Sequence, residues 1–210
     1  MQQLEIETPT PDLVNKWIKK FDAEASVVEK AMKELFEDTF PRNDRLEHIA
    51  LKVTAIDYFY GTGIKRFNGG IVAVGQLAEQ IRQLQIDTQL NMELPRLVYN
   101  IANLPIGEYN KNNYSFATKY CSWHKPNAYP IYDGYVDTII WAYQKSPDYI
   151  FGDFKHDDLR NYPKFKDIIV QFMRRYRLTG FSFKELDKFL WGYGRCYFDH
   201  VGCPGDKSPG

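Results

Sequence analysis

Apolar residues in this chain recur three and four positions apart, the spacing that gathers them on one face of an α-helix. The clearest run begins at Asp44 and places Leu46, Ile49, Ala50, Val53 and Ile56 together before Gly61-Thr62-Gly63 ends it. No stretch sustains the alternation and hairpin turns that strands require. The expected fold class is all-α, with about eight to ten short helices and no internal repeat.

Start and stop signals order the rest. Thr10 caps and Pro11 opens a first helix through Leu13, Trp17 and Ile18, and a second crosses Ala25, Val28, Met32, Leu35 and Phe36. Gly69-Gly70 opens a helix from Ile71 to about Leu84; a short turn region follows, then a helix from Pro95 that Leu104-Pro105 stops. Pro163 opens a helix over Ile168, Ile169, Phe172 and Met173. Ser182 and Glu185 have capping-box spacing for a last helix through Leu190, and Gly192-Tyr193-Gly194 reads as a helix-ending pair of glycines. The expected organisation is N-terminal helices over 1–43, a helical lobe over 44–145, C-terminal helices over 146–201 and a frayed tail over 202–210.

The chemistry concentrates between Ser115 and Trp141. If Ser115 to Trp123 is helical, Lys119 shares a face with Phe116 and Trp123, with small Ser115 and Ser122 beside it. A lysine there either snorkels outward or is desolvated. Desolvation disfavours the ammonium and makes a nucleophilic amine. Asp133 precedes Val136, Ile139, Ile140 and Tyr143 on one helix face and is an N-cap candidate. A carboxylate fixed there stays ionised and suits a developing cation.

A lysine in a small helix, a short loop and an aspartate opening the next helix resemble the catalytic segment of helix-hairpin-helix DNA glycosylases, in the 8-oxoguanine glycosylase-like branch and its small bacterial relatives. Thr118-Lys119, Lys125-Pro126-Asn127-Ala128, Pro130, Asp133, Val136 and Trp141 carry the resemblance. Phe59-Tyr60-Gly61-Thr62 and Leu186-Asp187-Lys188-Phe189-Leu190-Trp191 are weaker likenesses. The segment Leu104-Pro105-Ile106-Gly107 through Tyr114 departs from the family's Gly-rich hairpin turn, being longer and richer in Asn, and the loop from Lys119 to Asp133 is shorter.

The resemblance implies a two-lobed helical fold with a central cleft. It implies base flipping, Lys119 as Schiff-base nucleophile with accompanying abasic-site lyase activity, and Asp133 stabilising the sugar cation. Substrate-binding candidates are Trp123, His124, Tyr60 and Trp191, with Tyr193 as an alternative stacking residue. Lys111, Asn112 and Asn113 are candidates for the DNA backbone. The implied partner is DNA carrying a modified base or an abasic site, an oxidised purine by default. A defence enzyme acting on phage-modified bases and an inactive DNA-binding or adaptor module are the alternatives. No cofactor or metal is expected, and a monomer is.

Composition bounds these readings. The 210 residues carry 27 basic and 27 acidic groups, so no global basic footprint marks the chain as a strong non-specific DNA binder. Residues 1–60 hold eight basic and twelve acidic groups, whereas 151–210 hold eleven and eight, which allows a local positive surface towards the C-terminus. Arg174, Arg175 and Arg177, with Lys164 and Lys166, form a basic run that reads first as a solvated helix face. Aromatic residues make up 16%, which fits a core or base-stacking surfaces equally. Cys196 and Cys203 flank His200, but a cluster needs four ligands; three free thiols, Cys121 included, and a reducing cytoplasmic setting near the nucleoid are the expectation. No run of apolar residues is long enough to cross a membrane.

Overall fold

The computed structural model describes residues 6–67, 69–106, 112–200 and 203. Among them every regular element is helical, so the protein is all-α. The helices are α1 (Pro11–Lys33), α2 (Leu46–Tyr60), α3 (Ile64–Phe67), α4 (Ile71–Gln83), α5 (Ile86–Asn91), α6 (Arg96–Ala102), α7 (Tyr114–His124), α8 (Gly134–Lys145), α9 (Tyr162–Arg175) and α10 (Phe183–Asp199). A π-helical stretch, Glu34–Thr39, continues α1, and a 3-10 turn, His156–Arg160, precedes α9.

Contacts divide the chain into two compact units: Val27–Ile131, and Met1–Ser26 with Tyr132–Gly210. Lys119 falls in the first and Asp133 in the second.

In the central unit α2 packs against α4 and α7, and α6 against α7. Ile49, Val53 and Ile56 of α2 are fully buried, as are Leu77, Ile81, Leu97 and Ile101. Leu46, expected on the same face, is 39% exposed because it lies in the first turn. Gly61 closes α2 at φ 59, a left-handed conformation that favours glycine. The segment expected to be a turn after α4 contains α5, whose Ile86 and Leu90 are buried.

In the other unit α8 packs along α10, and the 3-10 turn packs on α9. Thr10 caps α1 as expected, its hydroxyl accepting from the Leu13 N–H at 3.2 Å. The two N-terminal helices expected from the sequence are one, because no proline or glycine interrupts Asp12 to Lys33. Ser182 and Glu185 form the expected capping box on α10. That helix does not end at Leu190, and Gly192 and Gly194 lie inside it. Their role is close approach: a Cβ at Gly192 would come 2.9 Å from Trp17 Cε3, and one at Gly194 would come 3.0 Å from the Tyr135 carbonyl oxygen.

Cys196 and Cys203 are joined by a disulfide, with Cα atoms 4.9 Å apart. This corrects the expectation of three free thiols. His200, the C-cap of α10, adopts φ 54. Only Cys121, buried in α7, is a free cysteine among the described residues, and the cysteine count no longer argues for a reducing compartment. Among the described residues no helix is long and apolar enough to cross a membrane.

Candidate active site

Helix α7 begins at Tyr114 and is buried continuously from Phe116 to Trp123. Lys119 is buried with it, 1% exposed, so of the two options the sequence left open the structure takes desolvation. Its Nζ donates to Ser115 Oγ at 2.8 Å, one turn back along the helix. The same nitrogen lies 5.6 Å from the centroid of the Tyr60 ring, within cation–π range. Trp123 Nε1 donates to the Tyr60 hydroxyl at 3.0 Å. Three expected site residues, Tyr60, Lys119 and Trp123, thus meet in the central unit.

The backbone candidates next to α7 are placed as follows. Asn113 stands at the N-cap position, is 5% exposed and donates its N–H to the Ala102 carbonyl at 2.8 Å. Asn112 is exposed, and its Nδ2 donates to Asn103 Oδ1 at 3.1 Å. Lys111 lies outside the described residues.

Asp133 is the N-cap of α8. Its Oδ1 accepts from the Tyr135 and Val136 N–H groups, each at 3.0 Å. The local sequence dictates this: a short acceptor directly before a glycine and an apolar helix face. Trp191 of the same unit is half-buried on α10, in edge contact with Phe21 and with Tyr135 and under the Arg195 guanidinium. The Tyr193 hydroxyl accepts from the Glu7 N–H at 2.6 Å, and its ring packs against Trp17 and Tyr143.

Sequence reasoning missed a second buried lysine. Lys52 of α2 is fully buried, and its Nζ donates to Asn43 Oδ1 at 2.7 Å, the Arg42 carbonyl at 3.0 Å and the Phe40 carbonyl at 3.1 Å. Asp87 holds the same Asn43 by its N–H at 3.0 Å and its Nδ2 at 2.6 Å, and the Tyr120 hydroxyl donates to Asn43 Oδ1 at 2.6 Å. Burial lowers the Lys52 pKa to about 8, opposed by the charges of Asp87 and Asp44.

His124 Nε2 lies 3.3 Å from Lys52 Nζ. An ammonium has no lone pair, so against it Nε2 presents its own lone pair and the ring proton sits on Nδ1. Burial and then the positive charges of Lys52 and Lys125 hold His124 well below the usual histidine range. His124 also lines a cavity of about 540 Å³ with Phe36, Arg42, Asp87 and Lys125. The signal for Lys52 was present in the sequence: it stands three and four residues from Ile49 and Ile56 on an apolar face, as Lys119 does among aromatics.

Residues 13–128 match a family model, HI_0787_N, described as an N-terminal domain. The chain belongs to the HI_0787_N family. This chain is 38% identical over 133 residues to an uncharacterized protein of Haemophilus influenzae, a match covering 63% of this chain and 62% of that protein. The chain therefore spans less than two thirds of that relative's length. No solved structure matches it. The HI_0787_N match includes Lys52, Lys119 and His124 and ends before Asp133.

Proposed function

We propose that the protein is a DNA glycosylase that excises a damaged or modified base, an oxidised purine by default. The observation that carries this reading is Lys119, a lysine 1% exposed, with its amine on a serine hydroxyl and beside the ring of Tyr60. Asp133, held by two backbone N–H groups at the start of α8, supports the second role.

In the proposed reaction the target nucleotide leaves the stack. Asp133, as the ionised carboxylate, stabilises positive charge building on the deoxyribose. The neutral amine of Lys119 bonds to C1′ as the bond from C1′ to the base breaks, and the base departs with the bonding electron pair. Opening of the sugar ring between C1′ and its ring oxygen then gives a Schiff base on Nζ. Loss of a C2′ proton expels the 3′ phosphate with its electron pair and nicks the strand.

Duplexes and single strands bearing a panel of modified bases, scored for base release, test the proposal. Release from at least one member, lost in Lys119→Gln, is the expected result. No release from any member would overturn it and leave a DNA-binding module of the same fold, in which neither Lys119 nor Asp133 alters DNA affinity.

A further inference from the structure

Asp133, Asp137 and Trp141 fall four residues apart on α8 and form one stripe. Asp137 lies four residues, about 6 Å of helical rise, beyond Asp133. It is 7% exposed, and both its oxygens are engaged. Oδ1 accepts from the Tyr132 hydroxyl at 2.8 Å, and Oδ2 meets His156 Nε2 at 2.7 Å. An ionised carboxylate only accepts, so Nε2 carries its proton and Nδ1 is the nitrogen that faces other partners. The His156 ring lies flat on Trp141, centroids 4.8 Å apart at 17°.

This imidazole is therefore fixed in direction by a buried carboxylate and in plane by an indole, while 43% of its side chain remains exposed. A group so constrained at a surface is built to meet something. Two cations lie on its neighbours, Lys145 at Trp141 and Arg160 at Tyr132. Lys145 Nζ is 5.2 Å from the Trp141 centroid, and the Arg160 guanidinium donates to the Tyr132 hydroxyl. Asp137 and then Asp157 are the opposing charges near Arg160, and Asp158 is already paired with Lys164 at 2.6 Å. Flanking cations favour an anionic ligand over proton abstraction by the ring.

We propose that His156, aimed by Asp137 and backed by Trp141, is a phosphate-binding side chain with Lys145 and Arg160 as flanking cations. It holds a phosphodiester of the strand on which Asp133 acts, and in that respect rests on the reading of Asp133 above. In the bound form both ring nitrogens carry protons, Nε2–H donating to Asp137 and Nδ1–H to a phosphate oxygen. His156 is then a positioning residue for the nucleotide.

The test measures affinity for a duplex containing a tetrahydrofuran abasic analogue across a range of salt concentrations, with thermal stability recorded alongside. His156→Gln should weaken binding roughly three- to tenfold and flatten the log–log salt slope by about 0.9, as loss of one phosphate contact does. Arg160→Gln should do the same, and His156→Lys should recover the slope. An unaltered affinity and slope in His156→Gln would overturn the proposal, as would a fall in saturated base release at unchanged affinity, which would make the ring a proton acceptor. Binding that depends on His156 in a protein that releases no base would sink the glycosylase reading and leave the phosphate contact standing.

Discussion

The central unit contains two buried lysines that sit in opposite surroundings. Lys52 is knotted to two backbone carbonyls and a side-chain amide oxygen, with the imidazole of His124 as a fourth neighbour. Its three protons are shared among three oxygens and the imidazole nitrogen, so this amine is committed to holding the 40–43 loop against α2. Lys119 instead rests on a single-turn serine hydroxyl and against the face of Tyr60, with Trp123 anchored to the same tyrosine. Burial alone therefore does not mark a nucleophile. The partners decide: a cage of carbonyls makes a lysine structural, whereas a hydroxyl and aromatic rings suit an amine that must reach a carbon atom.

The contrast breaks most visibly in stability. Lys52→Met strands two backbone carbonyls and takes one of the two donors from Asn43 Oδ1, and should cost about 3–5 kcal/mol in denaturant unfolding. Lys119→Met takes the donor from Ser115 Oγ and should cost less, about 2 kcal/mol. Equal losses would mean that both lysines are structural.

Asp133→Asn comes next and is read in activity. Losing the carboxylate opposite a developing cation should slow base release roughly 10²- to 10³-fold, about 3–4 kcal/mol. The amide can still cap α8, so stability should change by less than about 1 kcal/mol. A slow variant that is also badly destabilised would make Asp133 a cap and nothing more.

Asp87→Ala sharpens the Lys52 side of the comparison. It releases Asn43 from two hydrogen bonds and should cost about 2 kcal/mol without altering chemistry at Lys119. Loss of activity in proportion to loss of stability would show the two lysines to be coupled.

The smallest effect is the pH profile. His124 titrates lower in the folded chain, so below about pH 6.5 the unfolded chain binds a proton that the folded one refuses. Stability should fall as pH drops there, by at most about 1.4 kcal/mol per unit from this group. Lys52 titrates at about 8 against 10.5, so between these values the unfolded chain again binds more protons and stability should rise with pH. His124→Gln should flatten the acid limb and leave the alkaline rise; urea melts from pH 5 to 10 would resolve both.

The sequence made local features legible and long-range pairings opaque. Helix α7, the Asp133 cap and the Ser182–Glu185 box were readable because each depends on residues within one turn. Gly192 and Gly194 were misread as a helix stop because the reason for them, Trp17 and the Tyr135 carbonyl, lies far away in the chain. The Asp137–His156 pair spans 19 residues, and a separation of seven residues fits free thiols as well as a disulfide, so spacing alone signalled neither. Lys52 was missed for a different reason. Its apolar face carried the same information as that of Lys119, but its oxygens come from a loop whose path periodicity does not encode.

Reduction with sodium borohydride during incubation with lesion-bearing or abasic DNA tests the central claim most directly. The account predicts a stable protein–DNA adduct that survives in Lys52→Arg and vanishes in Lys119→Gln. Base release without an adduct, or an adduct that persists in Lys119→Gln, would contradict it.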